Sequence, residues 1–123
     1  MNSIDQFQSI PTVELQLAAF IESALEQKRF RQAELQANGF YVSLMYDVTF
    51  DAAGLGSLRD CVAIVEVFVP PRFRRQGWFA HFCNLCLQLG CGAVICSESC
   101  VSLRPAMVKA GFDARGEGYL VLD

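Results

Sequence analysis

The first third of the chain has apolar residues at helical spacing. Between Thr12 and about Ala37 they recur along one face, which predicts a helix that begins with Thr12 as its N-cap and stops at Asn38–Gly39. The second half of this segment is more polar than the first. A break in the helix near Arg29 or Phe30 is therefore left open.

Segments with the composition of strands follow. Residues 40–50 are rich in β-branched and aromatic side chains, which favours a strand. Residues 51–60 contain glycines and predict a connection. Residues 61–69 are almost continuously apolar, and such a run is typical of a strand that is covered on both faces.

The last part of the chain alternates helices and strands. The pattern predicts a helix over 77–89, a strand over 92–97, a short helix over 102–110 that ends at Gly111, and a closing hairpin over 112–123. No repeat, low-complexity tract or linker interrupts this order. The sequence therefore predicts one mixed α/β domain over the whole chain.

Composition narrows the class of protein. The 123 residues suffice for one domain, and 53% apolar against 19% charged residues excludes extensive disorder. The net charge of −3 argues against a protein that binds nucleic acid through overall charge. Neither a signal-peptide pattern nor an apolar run of the ~20 residues that a membrane helix needs is found. We therefore expect a soluble, cytoplasmic protein that binds neither nucleic acid nor membrane.

Six cysteines raise the question of a metal or disulfide site. Cys83 and Cys86 have the spacing of zinc ligands, and Cys96 and Cys100 would complete a set of four. The sequence between them predicts a helix, a turn and an apolar strand instead of ligand loops. Buried cysteine behaves as a small hydrophobe, and without secretion a disulfide framework is disfavoured. We therefore predict free core thiols ahead of zinc, and zinc ahead of disulfides.

A basic stretch lies where the apolar strand at 61–69 gives way to the next helix. Arg72, Arg74 and Arg75 precede Gly77 there. The first turn of a helix presents unpaired N–H groups and the positive end of the helix dipole, so it attracts anions. Arginine adds donors suited to phosphate oxygens, and glycine lets the backbone approach a phosphate closely. The alternative is a solvated basic turn in which Gly77 serves only backbone geometry.

The surroundings of this stretch resemble the acetyl-CoA signature of the GNAT acyltransferase superfamily. In that signature a strand ending in Val leads into R/Q-x-x-G-x-G/A, and the residues at 74–79, Arg-Arg-Gln-Gly-Trp-Phe, occupy its six positions. Downstream, residues 93–112 look like the family's next strand and helix, which ends in Gly-Phe, here Gly111–Phe112. The resemblance implies a mixed, mostly antiparallel sheet flanked by helices, in which a central strand pair splays apart near Val69 and Ser97.

The resemblance also implies an activity, the transfer of an acetyl group from acetyl-CoA to an amine of a protein or small molecule by direct attack. Residues 1–60 would form the acceptor side, with helices and a strand, and residues 61–123 the acetyl-CoA-binding half. No metal is implied, and a homodimer is left open. The residues implied in cofactor binding are Val67, Phe68, Val69, Arg74, Arg75, Gln76, Gly77, Trp78, Phe79 and Ser102.

Two carboxylates are candidates for the base that deprotonates the amine. Glu66 interrupts the apolar strand at 61–69, where burial would tune a carboxyl group toward the strength of a general base. Glu98 lies just beyond the strand at 92–97, where several relatives in the superfamily place a catalytic or substrate-binding carboxylate. The alternative for each is a carboxylate that faces solvent or pairs with an arginine.

Two positions depart from the family pattern. Phe79 stands where the family prefers Gly or Ala, which is tolerable if the ring points into the core. Met107 stands where many relatives carry the Tyr that protonates the departing thiolate, and Tyr41 or Tyr46 could replace it. These departures support another class of protein, a catalytically degenerate binding or interaction module, whereas the intact Arg74–Gly77 segment and Glu66 favour the enzyme. A zinc-binding protein ranks third.

Overall fold

The computed structural model of the protein describes residues 12–52, 56–97, 104–115 and 118–123. The first helix, α1, covers Val13–Gln27. Thr12 is its N-cap, as predicted, because its side-chain oxygen accepts the N–H of Leu15 at 3.2 Å. The helix ends at Lys28, which adopts a left-handed conformation with φ of 50°. This end adjoins the break that was left open near Arg29.

The expectation of helix as far as Ala37 is wrong, because Arg31–Ala37 form a strand, β1. Exposed positions alternate there with partly or fully buried ones, and Leu35 and Ala37 are the most buried. This two-residue period suits a strand and gives no apolar helix face. Asn38 and Gly39 have φ of 53° and 86°, so they form the tight turn of a hairpin instead of a helix stop.

A long antiparallel hairpin follows this turn. Its strands are β2, Phe40–Ala52, and β3, Gly56–Phe68. The predicted connection over 51–60 is therefore wrong in its extent, since most of that segment belongs to the strands. The pairing of Thr49 with Arg59 illustrates how far the ladder continues toward the tip.

The remaining elements follow the predicted order. They are α2 at Trp78–Gln88, β4 at Ala93–Ser97, α3 at Arg104–Ala110, β5 at Asp113–Arg115 and β6 at Tyr119–Leu122. The strand order in the sheet is β1-β2-β3-β4-β6-β5, and among the described strands only β3 and β4 pair in parallel. The predicted fold class, a mixed and mostly antiparallel sheet with helices packed on it, is confirmed.

The described helices pack on one face of the sheet, called the first face here. Leu17 of α1, Phe82 of α2 and Met107 of α3 are buried in one continuous core. Residues paired across strands share a face, so the register identifies the sheet's contribution to this core. One such row consists of Ala33, Leu44, Ile64, Cys96 and Leu120.

The opposite face, the second face, is covered at one end by the β2–β3 hairpin. Phe50 of this hairpin packs against the buried residues Cys61 and Ile95. Toward the carboxyl end of β3, Val65 and Phe68 are 45% and 48% exposed. The second face therefore has apolar surface left open beside the end of β3.

A polar link ties the end of α1 to β2 and β3. The Asp60 carboxylate accepts hydrogen bonds from the Lys28 ammonium at 2.8 Å and from the Tyr46 hydroxyl at 2.5 Å. The bond from Lys28, followed by that from Tyr46, lowers the pKa of Asp60. Burial, followed by the bond to Asp60, raises the pKa of Tyr46. The Tyr46 phenol is therefore engaged inside the fold.

Replacing Asp60 with Asn is expected to lower the free energy of unfolding at neutral pH by about 1 kcal/mol, because the charged bond to the half-exposed Lys28 is lost. A carboxyl group with a lowered folded pKa stabilises the fold above its unfolded pKa, about 4, and loses this contribution as pH falls through the folded value. Urea unfolding should therefore show a difference that shrinks from about pH 5 to about pH 3. Glu22→Gln, at an exposed position of α1, is the control. A pH-independent difference would contradict this role.

Candidate functional site

The candidate site lies at the carboxyl end of β3. Among the described residues, parallel pairing between β3 and β4 ends at Ile64 and Cys96, whereas β3 itself continues to Phe68. The splayed pair near Val69 and Ser97 stays a prediction, because residues 98–103 lie outside the described ranges. Ligands of α/β sheets commonly bind in the crevice beyond the carboxyl ends of such strands.

A β-bulge in β3 decides which side chains face the second face here. Ser43 pairs with Glu66 and Leu44 pairs with Ile64, so Val65 is the additional residue. Glu66 therefore shares the second face with Ser43, and its side chain is exposed. The expectation that Glu66 is buried in an apolar strand is wrong, because beyond the bulge the second face of β3 is no longer covered.

Arginine and glutamine side chains brace the loop that follows β3. The Nε of Arg74 donates to the Val69 carbonyl at 2.8 Å, and its guanidinium lies 5.2 Å from the centre of the Phe68 ring. The side-chain amide of Gln76 donates to the Arg72 carbonyl at 2.9 Å. Arg74 therefore fastens the loop to the end of β3, in addition to any contact with a ligand.

The loop leads into α2, whose N-terminus has no side-chain cap. Gly77 is the N-cap residue at φ of 80°, and the first turn contains no acidic residue. Arg75 also has a positive φ, 62°, and its side chain is exposed. Among the described atoms, a Cβ at Gly77 would approach only Cδ2 of His81, at 3.9 Å. The backbone of this turn is thus open, and the helix dipole and the arginines make it electropositive.

The aromatic residues of the motif belong to the core. Trp78 packs at a tilt against Phe40 and stacks on Phe82, with ring centres 4.6 and 5.0 Å apart. Phe79 is buried in the first-face core, which is the condition under which a bulky residue at this position was expected to be tolerable. Met107 is also fully buried, and its thioether has no proton to donate.

The two tyrosines considered as substitute acids lie in different places. Tyr46 is buried and donates to Asp60. Tyr41 lies on the second face, pairs with Phe68 at the end of β3 and donates its hydroxyl to the Glu34 carboxylate at 2.8 Å. That bond, followed by burial, raises the pKa of Tyr41. Of the two phenols, only that of Tyr41 is therefore next to the end of β3.

The other predicted cofactor residues divide between the two faces. Val67 packs, partly buried, against the first-face core, whereas Phe68 is half exposed on the second face. Glu98 and Ser102 lie outside the described residues. The structure therefore places the end of β3 next to the loop at 69–77, called the arginine loop here, and does not describe Glu98 or Ser102.

Glu34 and Ser43 are polar residues of the second face that the sequence prediction missed. Glu34 pairs with Ser43 and Ser43 pairs with Glu66, so the three side chains form one row. The missed signal is the alternation of polar and apolar residues over 31–37, which is typical of a strand with one buried face. Reading that period would have placed Glu34 beside β2.

The described cysteines are buried inside the fold. Burial raises the pKa of the Cys61 and Cys91 thiols to about 12, and it raises the pKa of Cys83 and Cys86 as well. Within the described ranges no group of three potential metal ligands is found. The described thiols that form no disulfide are those of Cys61, Cys83, Cys86, Cys91 and Cys96, and Cys100 lies outside the described residues.

We expect six free thiols and no stoichiometric zinc in the purified protein. Because the thiolate is the reactive form, the five described thiols of the native protein should react slowly with an aromatic disulfide reagent at mildly alkaline pH. After denaturation the same assay should count six thiols. Fast reaction of more than one thiol in the native protein, fewer thiols after denaturation, or one zinc per chain in metal analysis would contradict the prediction.

No helix in the described part of the chain is long and apolar enough to cross a membrane.

Comparison of the chain with protein-family models, with curated proteins and with solved structures gives no match. The link to the GNAT superfamily is therefore a resemblance carried by residues 61–123.

Proposed function

We propose that the protein is an N-acetyltransferase that moves an acetyl group from acetyl-CoA to an amine. The observation that supports this most is the position of the uncapped N-terminus of α2, which follows the arginine loop directly after β3. A diphosphate suits such a turn, and a thin pantetheine arm would suit the end of β3, which extends past its described pairing with β4.

The residues present fit the cofactor in charge and in space. Arg75 and the N–H groups that follow Gly77 would hold the diphosphate, with Arg74 adding charge from its braced position. The pantetheine arm would lie along the end of β3 from Val67 to Val69. Acetyl-CoA, when bound, supplies an acetyl group activated as a thioester.

The chain's own residues would then manage the proton and the oxyanion. Glu66, exposed on the second face, would take a proton from the incoming ammonium through a water molecule. The neutral amine nitrogen would then bond to the acetyl carbon as the carbon–sulfur bond breaks and its electron pair stays on sulfur, and the second proton that the nitrogen loses would pass to solvent. Backbone N–H groups near Phe68 and Val69 would stabilise the developing negative charge on the carbonyl oxygen.

The leaving thiolate has two routes to a proton. A thiolate is a stable leaving group near neutral pH, so it can take its proton from solvent. Tyr41, the phenol beside the end of β3, is the side-chain alternative. Met107 at the usual acid position also supports a second candidate function, a module that binds CoA without catalysis.

Calorimetric titration with acetyl-CoA and CoA tests the proposal. Arg75→Glu should weaken binding of both about tenfold, because it removes one charge-assisted contact and adds repulsion. Arg75 is preferred to Arg74, whose loss would also release the Val69 carbonyl. Arg29→Glu, at an exposed position after α1, is the matched control. Absence of CoA binding to the wild-type protein, or equal affinity of the Arg75 variant, would overturn the cofactor site.

Product analysis separates the enzyme from the binding module. Incubation with acetyl-CoA and a panel of primary amines, followed by mass spectrometry, should detect the acetylated amine and released CoA. Binding of acetyl-CoA without product from any amine would favour the non-catalytic module.

A further inference from the structure

Two adjoining cavities open on the second face beside Glu66. The larger, about 490 Å³, is lined by Glu34 and Ser43 among other described residues. The smaller, about 230 Å³, lies among the apolar side chains of Ala63 and Ile95. Val65 lines both cavities, and Met45 does so too, so the two spaces are direct neighbours.

The smaller cavity has the size and chemistry of a site for one aromatic ring. An apolar protein cavity of about 150 Å³ is large enough to bind benzene, so 230 Å³ leaves room for a ring with a short substituent. Phe50 and Tyr119 supply aromatic walls. These walls favour a planar apolar group over a sugar or a charged chain, which would lose hydration without hydrogen bonds in return.

The larger cavity has the charge of a site for a cation. Glu34 is the only charged residue among its described lining, and no lysine or arginine lines either cavity in the described part of the chain. Glu66 adds a second carboxylate, since it pairs with Ser43 in the same row as Glu34. A protonated amine complements this end.

The distance between the two ends fits one short linker. Ser43 lies in one row with Glu34 and Glu66. Met45, two residues further along β2, pairs with Ala63 at the smaller cavity. Two residues along an antiparallel strand span about 7 Å. A chain of two or three carbons between a ring and its ammonium group covers that distance.

We infer that the acceptor of the reaction is a small primary amine with one aromatic ring, held with the ring between Ala63, Ile95 and Tyr119 and the ammonium beside Glu34 and Glu66. The inference rests on the proposed function for the fate of the amine, because Glu66 is also the proposed base. The binding step itself needs no acetyl-CoA and can be measured alone.

Calorimetry or ligand-detected NMR of the full chain with phenethylamine tests this pocket. Phenethylamine should bind at least tenfold more tightly than glucosamine, which has the amine without the ring, and than phenylacetate, which has the ring with a negative charge. Val65→Gln and Glu34→Gln should each weaken phenethylamine binding about tenfold. Val108→Gln, at a 56% exposed position of α3, and Glu22→Gln are the matched controls and should bind as the wild-type protein does.

Titration of the same samples with acetyl-CoA separates this inference from the proposed function. Phenethylamine binding with the expected variant effects supports the amine pocket even where acetyl-CoA does not bind. Acetyl-CoA binding without phenethylamine binding would overturn the pocket and leave the acetyltransferase proposal standing. Equal binding of glucosamine, or unchanged affinity in both the Val65 and Glu34 variants, would also overturn it.

Discussion

Replacing Glu66 with Gln is expected to lower the rate of acetyl transfer by at least about 100-fold, the lower end of the usual contribution of a general base. The amide keeps the size and much of the hydrogen bonding of the carboxylate but cannot accept the proton. Affinity for acetyl-CoA should stay close to that of the wild-type protein, because the proposed diphosphate contacts lie in the loop after β3. Part of the lost rate should return at high pH, where the amine is already neutral.

Steady-state kinetics across the pH range, with Glu22→Gln as the control, measures this effect. Full activity of Glu66→Gln together with an inactive Glu98→Gln would make Glu98 the base. Full activity of both variants would mean that no carboxylate acts as the base.

A methyl group at Gly92 is expected to destabilise the fold by about 2–3 kcal/mol, the range for overpacking a close contact. Gly92 lies just before β4, and its N–H donates to the Asp60 carbonyl at 2.9 Å. An added Cβ would lie 2.2 Å from the Arg59 carbonyl oxygen, so the start of β4 would have to move away from β3. Thermal unfolding of Gly92→Ala should show a Tm lower by roughly 10 °C.

Gly77→Ala provides the matched comparison. It adds the same methyl group at a positive φ but, among the described atoms, meets only His81 at 3.9 Å, so about 1 kcal/mol of backbone strain is expected. Equal stability losses in the two variants would show that the contact with Arg59 contributes nothing.

The sequence predicted the strands that are rich in apolar side chains. β2 and β4 consist largely of β-branched, aromatic and aliphatic residues, so their composition alone favours strands. β1 was not predicted in this way, because Gln32, Glu34 and Gln36 favour helices in isolation. Its pairing with β2 outweighs that preference, and such pairing cannot be recognised from the local composition of one segment.

The candidate site was also predictable only in part, namely where its residues are neighbours in the sequence. The arginines and Gly77 stand next to each other in the chain, so their juxtaposition at the start of α2 follows from local sequence. The exposure of Glu66 depends on the bulge at Val65, and the bulge depends on the register between β2 and β3. A run of apolar residues predicts that a strand forms. It does not indicate at which residue a bulge interrupts the pairing with the neighbouring strand.

The crossover from β3 to β4 gives the folding reaction a late step. The β1–β2 hairpin closes through Asn38 and Gly39, and hairpins of this kind form within about 1–10 μs. Ile64 and Cys96, by contrast, are separated by 32 residues, and closing so long a loop costs chain entropy before any contact offsets it. We therefore expect the three-stranded meander β1–β2–β3 to exist before β4 docks. In such an intermediate β4 has not yet reached β3, so recovery of the proposed CoA binding during refolding should lag behind the first formation of sheet.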